Sequence, residues 1–221
     1  MLARVPWPGL ALGLLVLLVA PFALHAVTFG GEGLGLAPLR DTYLHAPDAP
    51  LGNASIFAHM LTGAVITLLV PLQLSSTLRR RYPCWHRGAG RVLVVGALLT
   101  GVAGSVFIVT RGTIGGAPMD AGFLLYGLLM IAAALQTIRF ARARDFMRHR
   151  TWALRLFVLA IGSWIYRVHY GLWYLATDGA GSNKAFTGPF DLVQNVAFYL
   201  PYLLLLELWL RRRARPVAHL T

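Results

Sequence analysis

Six apolar stretches, each close to the length that crosses a lipid bilayer, dominate this sequence. They cover residues 7–28, 56–78, 91–110, 119–138, 151–176 and 190–210. A helix needs about 20 apolar residues to cross ~30 Å of hydrocarbon. Only 13% of the 221 residues are charged, against about a quarter in an ordinary soluble domain. The sequence therefore predicts an all-α integral membrane protein with six transmembrane helices.

The basic residues are sorted between the two ends of these stretches. Sixteen of the 20 Lys and Arg residues lie before span one, between spans two and three, around the start of span five, or after span six. The other four lie toward the opposite ends: Arg40, Arg111, Arg167 and Lys184. Because Lys and Arg collect on the cytoplasmic side of a membrane, we expect both termini in the cytoplasm, a periplasmic loop at 29–55 and a basic cytoplasmic tail at 211–221. This sorting accounts for the net charge of +12, so no nucleic-acid partner is expected.

The first stretch has a second interpretation. LALGLLVLLVAPFALHA follows a lone Arg4 and also suits a signal peptide that ends near Ala26, which would leave five spans. The abundance of Ala, Leu, Arg and Gly favours a bacterial protein, and hence the inner membrane. The single cysteine, Cys84, excludes an intramolecular disulfide.

Two segments at the feet of the spans resemble each other. They read RRRYPCWHRGAGR at 79–91 and RARDFMRHRTWALR at 142–155. Each holds a His-Arg pair with another Arg four or five residues further on, and ionisable groups at membrane depth are candidate functional groups because they are costly there. If spans two to five form a central four-helix bundle, spans three and five run parallel, and His86 and His149 reach the same depth.

Two imidazoles facing across a bundle are a ligand set for low-spin haem iron. We therefore predict that His86 and His149 bind haem b and that neighbouring guanidinium groups hold its propionates: Arg87, Arg91 and Arg150. His59 and His169, near the outer ends of spans two and five, are candidate ligands of a second haem, since twenty residues separate His149 from His169, about 30 Å of helix. The implied function is electron transfer in the membrane, with quinone or a redox subunit as partner.

Two alternatives stay open at this point. The His-Arg pairs also suit a cofactor-free protein, an accessory subunit or small transporter, that binds lipid headgroups or an anionic substrate. A zinc site is the other alternative, because Cys84, His86 and His149 are three acceptable ligands. Asp145 and Glu207 are then the only nearby candidates for a water-activating base.

Other features predict packing. Ala97, Gly101 and Gly104 share one stripe of span three, where a neighbouring helix can approach closely. Arg155 and Glu207 have similar depths, so we expect them to pair. Arg167 is expected to pair with Asp191 or Asp178, with an anionic group at the outer face as the alternative. The remaining histidines carry no predicted role: His25, His45 and His219.

The order of these residues resembles domain-of-unknown-function family 2306, a family of bacterial multipass membrane proteins. The motifs that carry the resemblance are, in order, His59 with Gly63 and Gln73, HRGAGR at 86–91, HRTWALR at 149–155, and Arg167. The resemblance covers roughly residues 55–170. Trp152 fits the second motif, and Ala153 stands where Met is expected. The family implies an integral membrane protein and assigns no activity.

The arrangement is also similar to the cytochrome b561 type, in which paired histidines on a central four-helix core hold two b haems. His86 and His149 correspond to one such pair. The second pair would need a histidine on span four as partner for His59, and span four has none. The similarity therefore implies that His169 substitutes, or that one haem or none is bound.

Overall fold

The protein is represented by a computed structural model that describes residues 7–214, where all regular structure is helical. The helices within that range are α1 (Trp7–Gly33), α2 (Pro50–Gln73), α3 (Ser76–Arg81), α4 (Pro83–Arg111), α5 (Gly116–Arg142), α6 (Phe146–Ala160), α7 (Gly162–Thr177), α8 (Pro189–Ala197) and α9 (Leu200–Ala214). Predictions that involve Arg4, Arg215 and His219 fall outside the described residues.

Five helical units are long and apolar enough to cross a membrane. They are Gly9–Gly33, Pro50–Gln73, Pro83–Arg111, Gly116–Arg142 and the unit Pro189–Arg213. Each exceeds the length that the hydrocarbon layer requires. The prediction of an all-helical membrane protein with several spans is confirmed.

Four helices pack in a ring: α2 contacts α4, α4 contacts α5, α5 contacts α6, and α6 returns to α2. Helix α1 lies outside against α2, while α8 and α9 lie against α5 and α6. Successive long helices alternate in direction, so α4 and α6 begin at the same end of the ring. We call this end, which carries His86 and His149, the inner end, and the opposite end the outer end.

The helix boundaries differ from the predicted spans. Helix α4 begins at Pro83, which suits a first helical position because proline lacks an N–H. His86 therefore lies in the first turn of a helix. Helix α6 begins after Asp145, whose carboxylate accepts a hydrogen bond from the Arg148 N–H (3.0 Å) as an N-cap. At the outer end, the loop predicted at 29–55 is reduced to residues 34–49.

The predicted fifth span is interrupted at Ile161. Instead of one continuous helix, the chain forms α6 and α7, and the Trp164 N–H donates to the Ile161 carbonyl three residues back (3.1 Å). The Thr67 hydroxyl of α2 donates to the Ala160 carbonyl (3.0 Å), and the Tyr126 hydroxyl of α5 donates to the Leu159 carbonyl. A broken helix is tolerated at membrane depth where neighbouring groups satisfy its backbone.

Helices α6 and α9 are joined by the predicted pair of Arg155 and Glu207. The guanidinium donates two hydrogen bonds to the carboxylate, of 2.5 Å and 3.0 Å, and it lies 4.2 Å from the ring centroid of Trp152. This bidentate geometry confirms the pairing and fixes the final helix against the ring.

Candidate functional sites

At the inner end, a backbone carbonyl holds His149 in one orientation. Its Nδ1 lies 3.0 Å from the Thr137 carbonyl of α5. A carbonyl only accepts, so Nδ1 carries the proton and the lone pair of Nε2 is free. Histidines that bind metals are commonly oriented in this way by a second hydrogen bond.

His86 is half-buried on the first turn of α4, and no described residue hydrogen-bonds its buried Nδ1. The Gln73 side-chain nitrogen of α2 is also buried without a partner within residues 7–214. The Gln73 side chain lies against Gly90, one turn beyond His86 on α4. His149, Arg79 and Arg87 are near enough to act on His86 electrostatically. The two histidines predicted as a pair therefore lie at the same end of the ring, His86 on the first turn of α4 and His149 on the first turn of α6.

The arginines predicted to hold propionates are exposed at the same end: Arg87, Arg91 and Arg150. Arg87 donates a hydrogen bond to the exposed Cys84 thiol (3.3 Å). Among residues 7–214, no three His, Cys, Asp or Glu side chains converge as metal ligands. The ligand set of the zinc alternative is therefore not assembled.

The structure does not pair the two outer histidines, His59 and His169. His169 faces α8 and α9, where its Nε2 lies 2.7 Å from the Tyr202 hydroxyl and its Nδ1 lies 3.1 Å from the Gln194 side-chain oxygen. Both ring nitrogens of His169 are thus engaged by protein groups. His59 instead faces a cavity on the other side of the bundle.

This outer cavity has a volume of about 610 Å³, within the range of ~300–1,000 Å³ typical of small-molecule sites. Helices α1, α2, α4, α5 and α7 form its walls, together with the 34–49 loop. Most of the lining is apolar or aromatic. The polar groups that interrupt it include His25, Thr42, Tyr43, His59, Ser163 and Arg167.

His59 is placed in this cavity by α4. Its Nδ1 lies 2.8 Å from the Thr100 carbonyl, so the Nε2 lone pair is again free. Gly104 makes the room, because an added Cβ there would lie 2.7 Å from Nδ1. Gly104, one of the small residues predicted to let a neighbouring helix approach, therefore also leaves space for the His59 ring.

Arg167 also lines the cavity, and its predicted ion pair with Asp191 or Asp178 is absent from the described residues. It donates to the Ser163 carbonyl (2.8 Å) and lies 4.6 Å from the ring centroid of Phe22. The Arg167 side chain is exposed and forms part of the cavity wall.

Asp191 is unavailable to Arg167 because four other donors occupy its carboxylate. They are the Tyr170 and Ser182 hydroxyls, both at 2.7 Å, and the backbone N–H groups of Asn183 and Gly188, at 3.1 and 3.0 Å. This network closes the turn before α8. The prediction of an Arg167–Asp191 pair is wrong for that reason.

The 34–49 loop is fastened over the cavity by two polar residues of the neighbouring helices. Arg111 of α4 donates to the carbonyls of Leu44 (3.0 Å) and Tyr43 (3.3 Å). Asn53 of α2 bonds both the N–H and the carbonyl of Ala46 (3.0 and 2.7 Å). Arg40 pairs with Glu32 at the end of α1. The loop is thereby held as a wall of the cavity.

Comparison with known families agrees with this architecture. The family model described as predicted membrane protein (DUF2306) matches residues 56–210, from the start of the cavity-lining part of α2 to α9. The chain belongs to this family. The DUF2306 match includes both His-Arg segments, His59 and Arg167, and it confirms the resemblance suggested by their order. No curated protein and no solved structure matches the chain.

Several residues of the outer cavity carried no predicted role. His25 lines the cavity from α1, and Tyr43 and Thr42 line it from the loop. Their contribution depends on how α1 and the loop pack against the ring, which no local pattern reveals. Gly104 is different: its place one turn from Thr100 on a stripe of small residues was visible in the sequence.

Proposed function

We propose that this chain is a b-type cytochrome of the bacterial inner membrane, with haem b bound between His86 and His149. The observation that carries the proposal is the position of these two histidines at the same end of the ring, on the first turns of α4 and α6, with Nε2 of His149 left free by its bond to Thr137. Bis-histidine ligation between facing helices is a recurrent way to hold low-spin haem.

The surroundings of the two histidines suit this cofactor. Gly88 and Gly90 leave the start of α4 without side chains, and an added Cβ at Gly88 would meet no neighbouring atom. Arg87 and Arg150 are exposed beside the histidines and are suited to pair with propionates. The haem would supply one-electron redox chemistry, and the protein would orient it and tune its potential.

The proposal assigns one haem per chain. His169 would have to give up its bonds to Gln194 and Tyr202 to bind iron. The second histidine among the described residues that line the His59 cavity is His25, which belongs to α1, outside the four-helix ring. Quinone or a redox subunit remains the proposed electron partner.

We further propose six spans with both termini in the cytoplasm. Helices α6 and α7 would together form the fifth span, joined at the break whose carbonyls Thr67 and Tyr126 satisfy. The inner end would then face the cytoplasm, because it carries most of the Lys and Arg residues.

Reconstitution with haem tests the proposal. The purified protein in detergent is titrated with haem b, and the Soret and reduced α bands are followed for the wild type, His86→Ala and His149→Ala. We expect about one haem per wild-type chain and loss of the bis-histidine spectrum in either variant. His45→Ala is the matched control, because His45 is exposed in the outer loop. Unchanged spectra in both inner variants would overturn the assignment.

The cofactor-free alternative is favoured by a specific feature, the excess of exposed arginine at the inner end. Arg80, Arg87 and Arg150 are exposed there, and Asp145 pairs with Arg148 at 3.6 Å. Such a rim suits lipid phosphate or an anionic substrate. A protein that stays colourless with haem, but loses binding to anionic-lipid vesicles in the double variant Arg87→Gln/Arg150→Gln, would support this alternative.

A further inference from the structure

We infer that the outer cavity binds an amphiphile with an anionic head group, and that Arg167 pairs with that group. This inference is independent of the haem proposal, since the cavity lies at the other end of the bundle and shares no ligand with the inner histidines. It rests on charge, on the composition of the cavity wall and on the way the wall is fixed.

The charge of the cavity is unbalanced. Among the described residues that line it, Arg167 is the only one with a permanent charge, and neither Asp nor Glu is present. The nearest expected partner, Asp191, is occupied by four other donors. A cation at membrane depth is costly without a partner. An anion in the cavity removes that cost.

The rest of the wall predicts what the anion is attached to. Phe22, Phe29, Phe123 and Met130 belong to a lining that is mainly apolar, which suits a hydrocarbon chain. Hydroxyl groups line the cavity beside the cation: Tyr166 adjoins Arg167 in α7, and its hydroxyl lies 3.4 Å from that of Tyr170, one turn further on. The cavity thus has an apolar body and one cationic, hydroxyl-rich region.

His59 adds a second polar contact. It lines the same cavity as Arg167, and its bond to Thr100 leaves an acceptor nitrogen for the cavity. A head group that carries a hydroxyl beside its negative charge can therefore donate to His59 while it pairs with Arg167. Two head groups share the required negative charge, the carboxylate of a fatty acid and the phosphate of a lysophospholipid, and of these the lysophospholipid also carries a hydroxyl that can donate to His59.

Direct binding measurements distinguish these possibilities. Oleate, oleoyl lysophosphatidate and oleyl alcohol are compared as competitors of a fluorescent fatty acid bound to the detergent-purified protein. We expect at least one anion to bind more tightly than the alcohol, and the tighter of the two identifies the head group. Arg167→Gln should weaken binding of the anions by about 10- to 100-fold, as expected for loss of charged hydrogen bonds, and leave the alcohol unchanged.

Two control variants keep the test decisive. Arg167→Lys retains the positive charge and should keep most of the preference for anions, which separates loss of charge from loss of fold. Lys184→Gln removes an exposed outer cation that lies outside the cavity lining, and should have no effect. Equal affinity for oleate, lysophosphatidate and oleyl alcohol in the wild type would overturn the inference, as would anion affinity that survives Arg167→Gln.

Discussion

The substitution Gly104→Ala should displace the His59 side chain, because the absence of a Cβ at Gly104 provides the space for its ring. The Cβ of Gly104→Ala would lie 2.7 Å from His59 Nδ1 and 3.1 Å from its Cε1. The imidazole must move, and its 2.8 Å bond to the Thr100 carbonyl must break. Loss of that hydrogen bond costs about 1 kcal/mol, and overpacking costs about 1–3 kcal/mol more.

Part of this cost is offset because alanine stabilises a helix interior by about 1 kcal/mol relative to glycine. The net expectation is a loss of about 1–3 kcal/mol. Gly63→Ala, on the facing helix, is the matched control. Its Cβ would lie 3.6 Å from Thr100 Cγ2, an ordinary contact, so this variant should be neutral or up to about 1 kcal/mol more stable.

Two measurements check this prediction. Unfolding by SDS from mixed micelles, followed by far-UV circular dichroism, gives the free energy of unfolding of each variant. Nitrogen NMR of the histidine rings reports the tautomer of His59, which should be protonated on Nδ1 in the wild type and lose that preference in Gly104→Ala. Equal stability of Gly104→Ala and Gly63→Ala, with the His59 tautomer unchanged in both, would refute the reasoning.

Three further predictions use the same unfolding measurement. A double-mutant cycle of Arg155→Ala and Glu207→Ala should give a coupling energy of about 1.5–3 kcal/mol, and a value near zero would contradict the bidentate pair. Tyr126→Phe should lower the free energy of unfolding by about 1–3 kcal/mol and speed amide exchange at the break between α6 and α7, because the Leu159 carbonyl loses its hydroxyl donor. Amide exchange at the wild-type rate in this variant would count against this role. Asp191→Asn should destabilise by about 2 kcal/mol, since it weakens four hydrogen bonds to a carboxylate, whereas Asp178→Asn, at an exposed position, should have little effect; equal effects of the two would argue against the network.

The positions of the helices could be predicted largely from hydropathy, because five of the apolar stretches are also long apolar helical units in the structure. The break at Ile161 could not. It depends on Thr67 and Tyr126, which reach the freed carbonyls from other helices. A pattern of apolar residues along one segment carries no information about donors that arrive from elsewhere.

Some contacts of the ionisable residues could likewise be predicted from the sequence, and others could not. Arg155 and Glu207 were matched by depth alone, and their pairing is confirmed. Depth also suggested Asp191 as partner of Arg167, but the carboxylate turns toward its own helix start, where four closer donors hold it. The placement of His86 and His149 at the same end of the ring followed from helix direction, whereas the separation of His169 from His59 follows from which side of α7 faces α8.

The visible spectrum of the wild-type protein tests the central claim, bis-histidine haem at the inner end, most directly. The protein is purified in detergent and measured oxidised and dithionite-reduced, with haem content from a pyridine haemochrome assay. We predict a Soret band, sharp reduced α and β bands, and about one haem b per chain that depends on His86 and His149. A preparation that is colourless, and stays so after reconstitution with haem, would contradict the account.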